Sequence, residues 1–232
     1  MDTVLTKIQK ESEHVMRFYF EATDRNVLQF VPGQFVIFTI PGLAEFQNTR
    51  SYSIASAPGK HAQFELCISL NPNGIATPIL WKLKPGDHFE MSEPQGNFIM
   101  QNAPELETVF ICTGTGIAPF RSMLGHLLEN GNPSKPVHLI FGNRFENDIL
   151  YREEFEKLAK EFSNFHFHPV LSRDANWIGT KGYVHQVYQQ LFADGRDARF
   201  YICGWKDMCS DARRNLKEMG YNRQQYFFEL YD

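Results

Sequence analysis

Two stretches of this 232-residue chain hold residue types that could do chemistry. Residues 111–121 read ICTGTGIAPFR: an apolar run, two closely spaced glycines, then a proline heading an amphipathic pattern from Phe120 to Leu128. Strand, glycine turn and helix outline a phosphate site, because the first N–H groups of a helix lack partners inside it and glycine lets an anion reach the backbone. That assigns Gly114, Thr115 and Gly116, with Pro119 at the first helical position, where its missing N–H loses no bond. The stretch is not a G-x-G-x-x-G fingerprint, since Pro119 replaces the third glycine, and not a P-loop, since no Lys-Ser/Thr pair follows. A glycine turn required only for tight packing is the alternative.

Residues 49–56 read TRSYSIAS. Strand alternation puts Arg50 and Tyr52 on one face and Ser51 and Ser53 on the other, so polar groups show on both sides. Arginine offers a forked cation for a phosphate, tyrosine a flat face for an aromatic ring, and serine a small hydroxyl for a ring nitrogen. A solvated surface strand is the alternative. Cys67, Cys112, Cys203 and Cys209 form no C-x-x-C pair and no four-cysteine cluster, which supports neither zinc nor an iron–sulfur centre. His126, His138, His166 and His168 read as strand and helix-face residues; only the alternating pair in FHFH has a close histidine neighbour.

The elements that must position these residues divide the chain in two. A content of 43% apolar and 14% aromatic residues suffices for packed cores, and 21 phenylalanines suggest aromatic packing or a planar ligand, packing being the simpler reading. A formal net charge of −4 without basic runs argues against general nucleic-acid binding. The N-terminal MDTVLTKIQKESEH lacks a signal-peptide core and no stretch of membrane-spanning length is apolar, so the expected location is the cytoplasm. Up to about residue 100, turn signals recur at Pro32-Gly33, Pro41-Gly42, Pro58-Gly59, Asn71 to Gly74 and Pro85-Gly86, between β-rich runs such as QFVIFTI and QFELCISL. After QNAPELE, broken at Pro104, strands alternate with helices, two of which Gly131 and Gly220 are placed to end. The expected fold is an N-terminal antiparallel β-barrel over residues 1–101, then an open α/β domain with a five-stranded parallel sheet over 102–232, ligands lying at the carboxyl ends of its strands.

Five motifs in order, RSYS (50–53), GIAT (74–77), GTGIAPFRS (114–122), CGWKDM (203–208) and FELY (228–231), make the chain resemble the ferredoxin–NADP reductase family of flavoproteins over nearly its whole length. The resemblance implies a barrel that binds FAD and an α/β domain that binds NAD(P), with flavin and nicotinamide meeting in the cleft between them. Arg50 would hold the FAD pyrophosphate, Tyr52 would lie against the isoalloxazine and Ser53 near its reactive nitrogen, while Gly74 and Thr77 would add a phosphate contact that suits FAD better than FMN. Thr113, Gly114, Thr115 and Gly116 would face the pyridine nucleotide, and Cys203 and Gly204 would border the nicotinamide. Glu229 and Tyr231 fall where the family has a glutamate and a terminal aromatic covering the flavin. Ser53, Cys203, Glu229 and Tyr231 are thus the catalytic positions implied, with a compact packing residue as the alternative for Cys203. Asp232 follows the tyrosine that often ends the chain, and Trp205 stands where leucine or proline is common.

Arg144 occupies the place where a 2′-hydroxyl reader would carry an acid. Ser172, Arg173, Lys181 and Tyr183 resemble the positions that hold a 2′-phosphate, which points to NADPH rather than NADH. The expected reaction is hydride transfer between NADPH and FAD, with electrons passing to or from ferredoxin, flavodoxin or another small redox protein. Lys82, Lys84, Arg213, Arg214 and Lys217 could dock such a carrier, solvated surface charge being the default. A reductase component feeding an oxygenase or heme protein, a free-flavin reductase, and a non-catalytic nucleotide-sensing or electron-transfer subunit stay open. Co-occurrence of the flavin motif and FELY favours an enzyme.

Overall fold

The computed structural model describes residues 1–40, 42–44, 48–100, 105–129 and 133–231. Pro41, the break at Pro104 with the 101/102 boundary, the helix stop at Gly131 and the terminal Asp232 lie outside the described residues. The chain forms two compact units, Met1–Gln101 with Ala118–His126, and Asn102–Ile117 with Leu127–Asp232.

The first unit contains β1 (Asp2–Lys10), β2 (Val15–Ala22), β3 (Phe35–Thr39), β4 (Thr49–Ser53), β5 (Gln63–Ser69), a short helix α1 (Thr77–Leu80) and β6 (His88–Glu90). An antiparallel sheet runs β5-β2-β1-β6, and β3 pairs with β4. Single bridges, Ile54 to Leu66 and Phe38 to Met91, join the two pieces, so the sheet is barrel-like without a closed ladder. Period-two alternation sends Phe18 and Phe20 of β2, and Val36 and Phe38 of β3, into one core. Phe20 sits at its centre, with Phe38 5.8 Å and Phe64 5.7 Å away between ring centroids. Much of the phenylalanine excess is therefore packing material, each buried ring contributing about 1.5–3 kcal/mol.

The second unit is built on β7 (Glu107–Thr113), α2 (Ile117–Glu129), β8 (Val137–Asn143), α3 (Arg152–Glu161), β9 (Phe165–Leu171), β10 (Thr180–Lys181), α4 (Val184–Leu191), β11 (Ala198–Trp205), α5 (Lys206–Glu218) and β12 (Tyr226–Tyr231). All pairings in its sheet are parallel, in the order β10-β9-β8-β7-β11-β12. Helices on both faces of a parallel sheet explain the continuous apolar runs TVFIC and VHLIF, which are buried on both sides. The sheet has six strands rather than the expected five, because the two-residue β10 is too short to show periodicity. Helix α2 also starts earlier than Pro119: a 3-10 turn over Gly114–Gly116 leads into Ile117, which makes the proline the third helical residue. It still lies in the first turn, where an N–H has no ladder partner. Gly220, with φ of +94°, follows α5 as expected. Among the described residues no helix is long and apolar enough to cross a membrane.

Candidate functional site

In the second unit the strand order reverses between β7 and β11, and open parallel sheets take ligands at the carboxyl end of such a switch point. Thr113 ends β7 there, Gly114, Thr115 and Gly116 turn into α2, and Cys203, Gly204 and Trp205 end β11. The two glycines do different work. A Cβ on Gly116 would lie 2.5 Å from the Cys203 carbonyl oxygen and 2.9 Å from the Gly204 Cα, so this glycine serves close packing of turn on strand. Gly114 has a φ of +54° and open space within 4 Å of where a Cβ would stand, so its bare backbone faces outward. The packing alternative thus accounts for Gly116, and the ligand reading keeps Gly114.

Cys203 is fully buried. Burial pushes its thiol well up, the Glu229 carboxylate and the thiols of Cys112 and Cys209 add to the shift, and a hydrogen bond with Tyr231 opposes it. The group therefore stays a neutral thiol, which suits a compact packing residue and not a thiolate nucleophile. Glu229 pairs in register with Cys203, and Tyr231 with Trp205, so these side chains project to the same face of neighbouring strands. The Tyr231 hydroxyl is buried, while Trp205 is 66% exposed at the strand end.

Farther along the same carboxyl edge, Arg144 follows β8, Ser172 and Arg173 follow β9, and Lys181 and Tyr183 lie in and after β10. Backbone bonds hold them together: Ser172 N donates to Asn143 O (3.0 Å), Arg173 N to Arg144 O (3.0 Å) and Gly182 N to Leu171 O (2.9 Å). Arg144, Arg173, Lys181 and Tyr183 are exposed. Lys181 Nζ donates to the Ala175 carbonyl (2.7 Å). Two exposed guanidiniums and an ammonium at strand ends form a cationic rim for a phosphorylated ligand.

In the first unit β4 carries Arg50, Tyr52 and Ser53. Arg50 is partly exposed, Tyr52 leans on the core and its hydroxyl is pushed up to about 12 by burial, and Ser53 is buried. Of the polar groups expected to show on both sides of this strand, Tyr52 and Ser53 are thus drawn into packing while Arg50 stays partly exposed. Gly74 lies in the turn before α1 and Thr77 opens the helix, its hydroxyl accepting from Asn71 N (2.9 Å) and donating to Asn71 O (3.0 Å). That hydroxyl braces the turn, so an anion there would meet backbone groups.

Sequence reasoning missed three residues. Among the described residues the Asn143 Nδ2, at the end of β8, is buried without a hydrogen-bond partner, a donor available to a ligand. Ser122 Oγ on α2 is likewise buried and unpartnered. Arg121 makes ordered contacts described below. Asn143 stands in FGNR beside Arg144, and that adjacency was the available signal. An open glycine backbone, a spare amide donor and exposed cations fit a pyridine nucleotide at the second unit, and a partly exposed arginine beside a tyrosine and a serine fits a flavin phosphate and ring at the first. The histidines contribute to neither set, and among the described residues no group of three or more His, Cys, Asp or Glu is arranged to hold a metal.

Residues 2–100 match the oxidoreductase FAD-binding domain and residues 110–214 the oxidoreductase NAD-binding domain. The chain is 33% identical to ferredoxin–NADP reductase B of Sorangium cellulosum (strain So ce56), covering 98% of this chain and 96% of that one. It is 32% identical to the reductase component of phenol 2-monooxygenase from Pseudomonas sp. (strain CF600), over 88% of this chain but only 58% of the relative. The crystal structure of a cytochrome P450 reductase of Amycolatopsis superposes with a TM-score of 0.89 at 25% identity, over 99% of this chain and 69% of that one. The chain belongs to the ferredoxin–NADP reductase family, as a flavoprotein oxidoreductase with an FAD-binding and a pyridine-nucleotide-binding domain.

Proposed function

We infer that this chain is an NADPH-dependent reductase that exchanges electrons with a small redox protein such as ferredoxin or flavodoxin. Residues 1–101 would hold FAD and 102–232 NADPH. When bound, FAD supplies the chemistry of taking up a hydride and releasing electrons singly. Arg50 neutralises its pyrophosphate, Tyr52 presents a ring and Ser53 a hydroxyl. Gly114 leaves the turn after β7 open to the nucleotide, Asn143 offers an unpaired donor, and the neutral Cys203 lines the end of β11 without taking a proton. Glu229 and Tyr231 complete the strand end beside Cys203. The observation that carries the preference for NADPH is the rim of Arg144, Arg173 and Lys181 around Ser172, where cations and a hydroxyl suit a dianionic 2′-phosphate and Arg144, directly after β8, stands where an acidic ribose reader is expected.

Steady-state kinetics with both nucleotides tests this reading. NADPH is expected to be the better substrate, and Arg173→Ala to lower its affinity by about 10- to 150-fold, the equivalent of one charged hydrogen bond of roughly 1.5–3 kcal/mol, leaving NADH nearly unchanged. Equal efficiency with both nucleotides before mutation contradicts the assignment. The same chemistry serves a reductase that feeds an oxygenase, the role in the name of the Pseudomonas relative, and turnover with a ferredoxin against turnover with an oxygenase component separates the two.

A further inference from the structure

Arg121 lies on α2, in the stretch Ala118–His126 that belongs to the first compact unit, and its guanidinium is turned toward the segment after β4. It donates to the Ala55 carbonyl (3.0 Å) and to Glu65 Oε2 (3.2 Å). Glu65, on β5, is 3% exposed, a depth at which a carboxylate must be paired. Arg17 of β2 already supplies the countercharge, gripping both oxygens through Nε (2.8 Å) and Nη2 (2.9 Å), and Glu11 stands 3.4 Å from Arg17. Arg17 is shared between Glu65 and Glu11, so Arg121 is the second cation of this set, and the same Nη1 that meets Glu65 also reaches the Ala55 carbonyl.

Ala55 stands two residues past Ser53. Around it Ile54 N donates to Gln34 O (3.0 Å), Ala55 N to Glu65 O (2.8 Å), and Glu65 N to Ser56 Oγ (3.1 Å). On the next turn of α2, a Cβ on Gly125 would lie 2.9 Å from the Ala57 Cβ, so the helix runs close over the same segment. Phe120 meanwhile packs on Phe98 at 5.8 Å. One turn of α2 thus seats the carboxyl end of β4 from above while β5 holds it edge-on.

We propose that Arg121 is a positioning residue for the flavin: through the Ala55 carbonyl, and anchored by Glu65, it sets where Tyr52 and Ser53 present their ring and hydroxyl. The inference rests on the flavin role assigned to Arg50, Tyr52 and Ser53. Its signature is in how FAD is held, because Arg121 acts on Ala55, two residues beyond the strand that carries Tyr52 and Ser53.

The test uses the full chain stripped of flavin and titrated with FAD, following flavin fluorescence and the visible circular dichroism of the bound ring, alongside thermal unfolding of the apoprotein. Arg121→Met, which keeps the stem and removes the donors, is expected to weaken FAD binding about tenfold and to alter the flavin dichroism. Arg121→Lys, which keeps the charge but replaces the planar guanidinium with a compact ammonium, is expected to fall between the two. A lower apoprotein melting temperature with unchanged FAD affinity and dichroism in Arg121→Met overturns the proposal, since Arg121 would then only brace the fold. Should Arg121→Met not fold, Arg121→Lys decides: wild-type affinity and dichroism overturn the proposal, and a shift in either supports it. FAD binding weakened by Arg50→Ala but untouched in the Arg121 variants defeats this inference alone, whereas an unmutated chain that takes up no FAD defeats the flavin reading and this inference with it.

Discussion

Tyr231 pairs in register with Trp205 at the end of β12, its hydroxyl buried. The family resemblance implies that its ring covers the flavin and competes with the incoming nicotinamide. Tyr231→Ser is then expected to tighten NADP+ binding about 2- to 10-fold, the equivalent of a stacking contact of roughly 0.5–1.5 kcal/mol, and to narrow the gap between NADPH and NADH. Titration with NADP+ while following the flavin spectrum checks it; lost stability with unchanged affinity would mean that the tyrosine only closes the last strand. The residue types RSYS and FELY were legible because they are distinctive in sequence. Asn143 and Arg121 were not, because an asparagine or arginine acquires meaning only when its hydrogen-bond partners, or their lack, are known.

At the scale of the element, the turn over Gly114–Gly116 divides one motif into two physical tasks. Gly116→Ala forces a Cβ to 2.5 Å from the Cys203 carbonyl, on a central strand that cannot retreat, and is expected to destabilise by about 1–3 kcal/mol. Gly114→Ala meets no protein atom; it strains a left-handed residue by about 1–2 kcal/mol and fills the space through which a phosphate would approach. Denaturant melts and NADP+ titrations of both variants should therefore diverge. Gly116→Ala should lose proportionately more stability, and Gly114→Ala more nucleotide affinity. Alternation of apolar strands with amphipathic helices announced the second domain from sequence, since burial on both faces of a parallel sheet demands such runs. Strand β10 was hidden, because two residues carry no period and their pairing depends on where Val170 and Leu171 already lie.

Across the whole molecule, stability should respond to acid through histidines at the end of the parallel sheet opposite the nucleotide rim. His138 near the start of β8 stacks on His166 (4.9 Å) and bonds His168 through Nδ1 to Nε2 (3.1 Å), with the Phe192 ring edge-on. Its Nε2 is 3.7 Å from Glu107, which would favour a proton, but that carboxylate is already engaged by Arg196 Nε at 3.1 Å. Burial wins: desolvation first, then the neighbouring imidazoles, hold His138 down to about 3, and burial holds His168 down to about 4. His185 is lowered in the same sense. Because these folded-state values lie below the unfolded one near 6.5, the unfolded chain binds more protons. Stability is full above about pH 6.5 and is lost on acidification toward the folded values, by about 1.4 kcal/mol per pH unit for each such group. Asp24 and Glu93 are held below their ordinary values by hydrogen bonds with Arg25, so their contribution is lost only at the acid end of this range. Melting temperatures from pH 7 to pH 4.5 should fall steeply in the unmutated protein and less steeply in His138→Gln; parallel slopes would show that the cluster does not govern the acid response.

The sequence by itself determined the class of each half, the order of the five motifs and the residue types at both candidate sites, since periodicity, turn residues and short motifs are local properties of the chain. Only the tertiary structure decided which glycine packs and which stays open, that Cys203 is a neutral buried thiol, that the Thr77 hydroxyl is occupied by Asn71, and that Arg121 reaches Ala55 across a sequence separation of 66 residues. Each of these depends on what lies within a few ångströms, and a linear sequence specifies the identities of such neighbours without saying which of them meet.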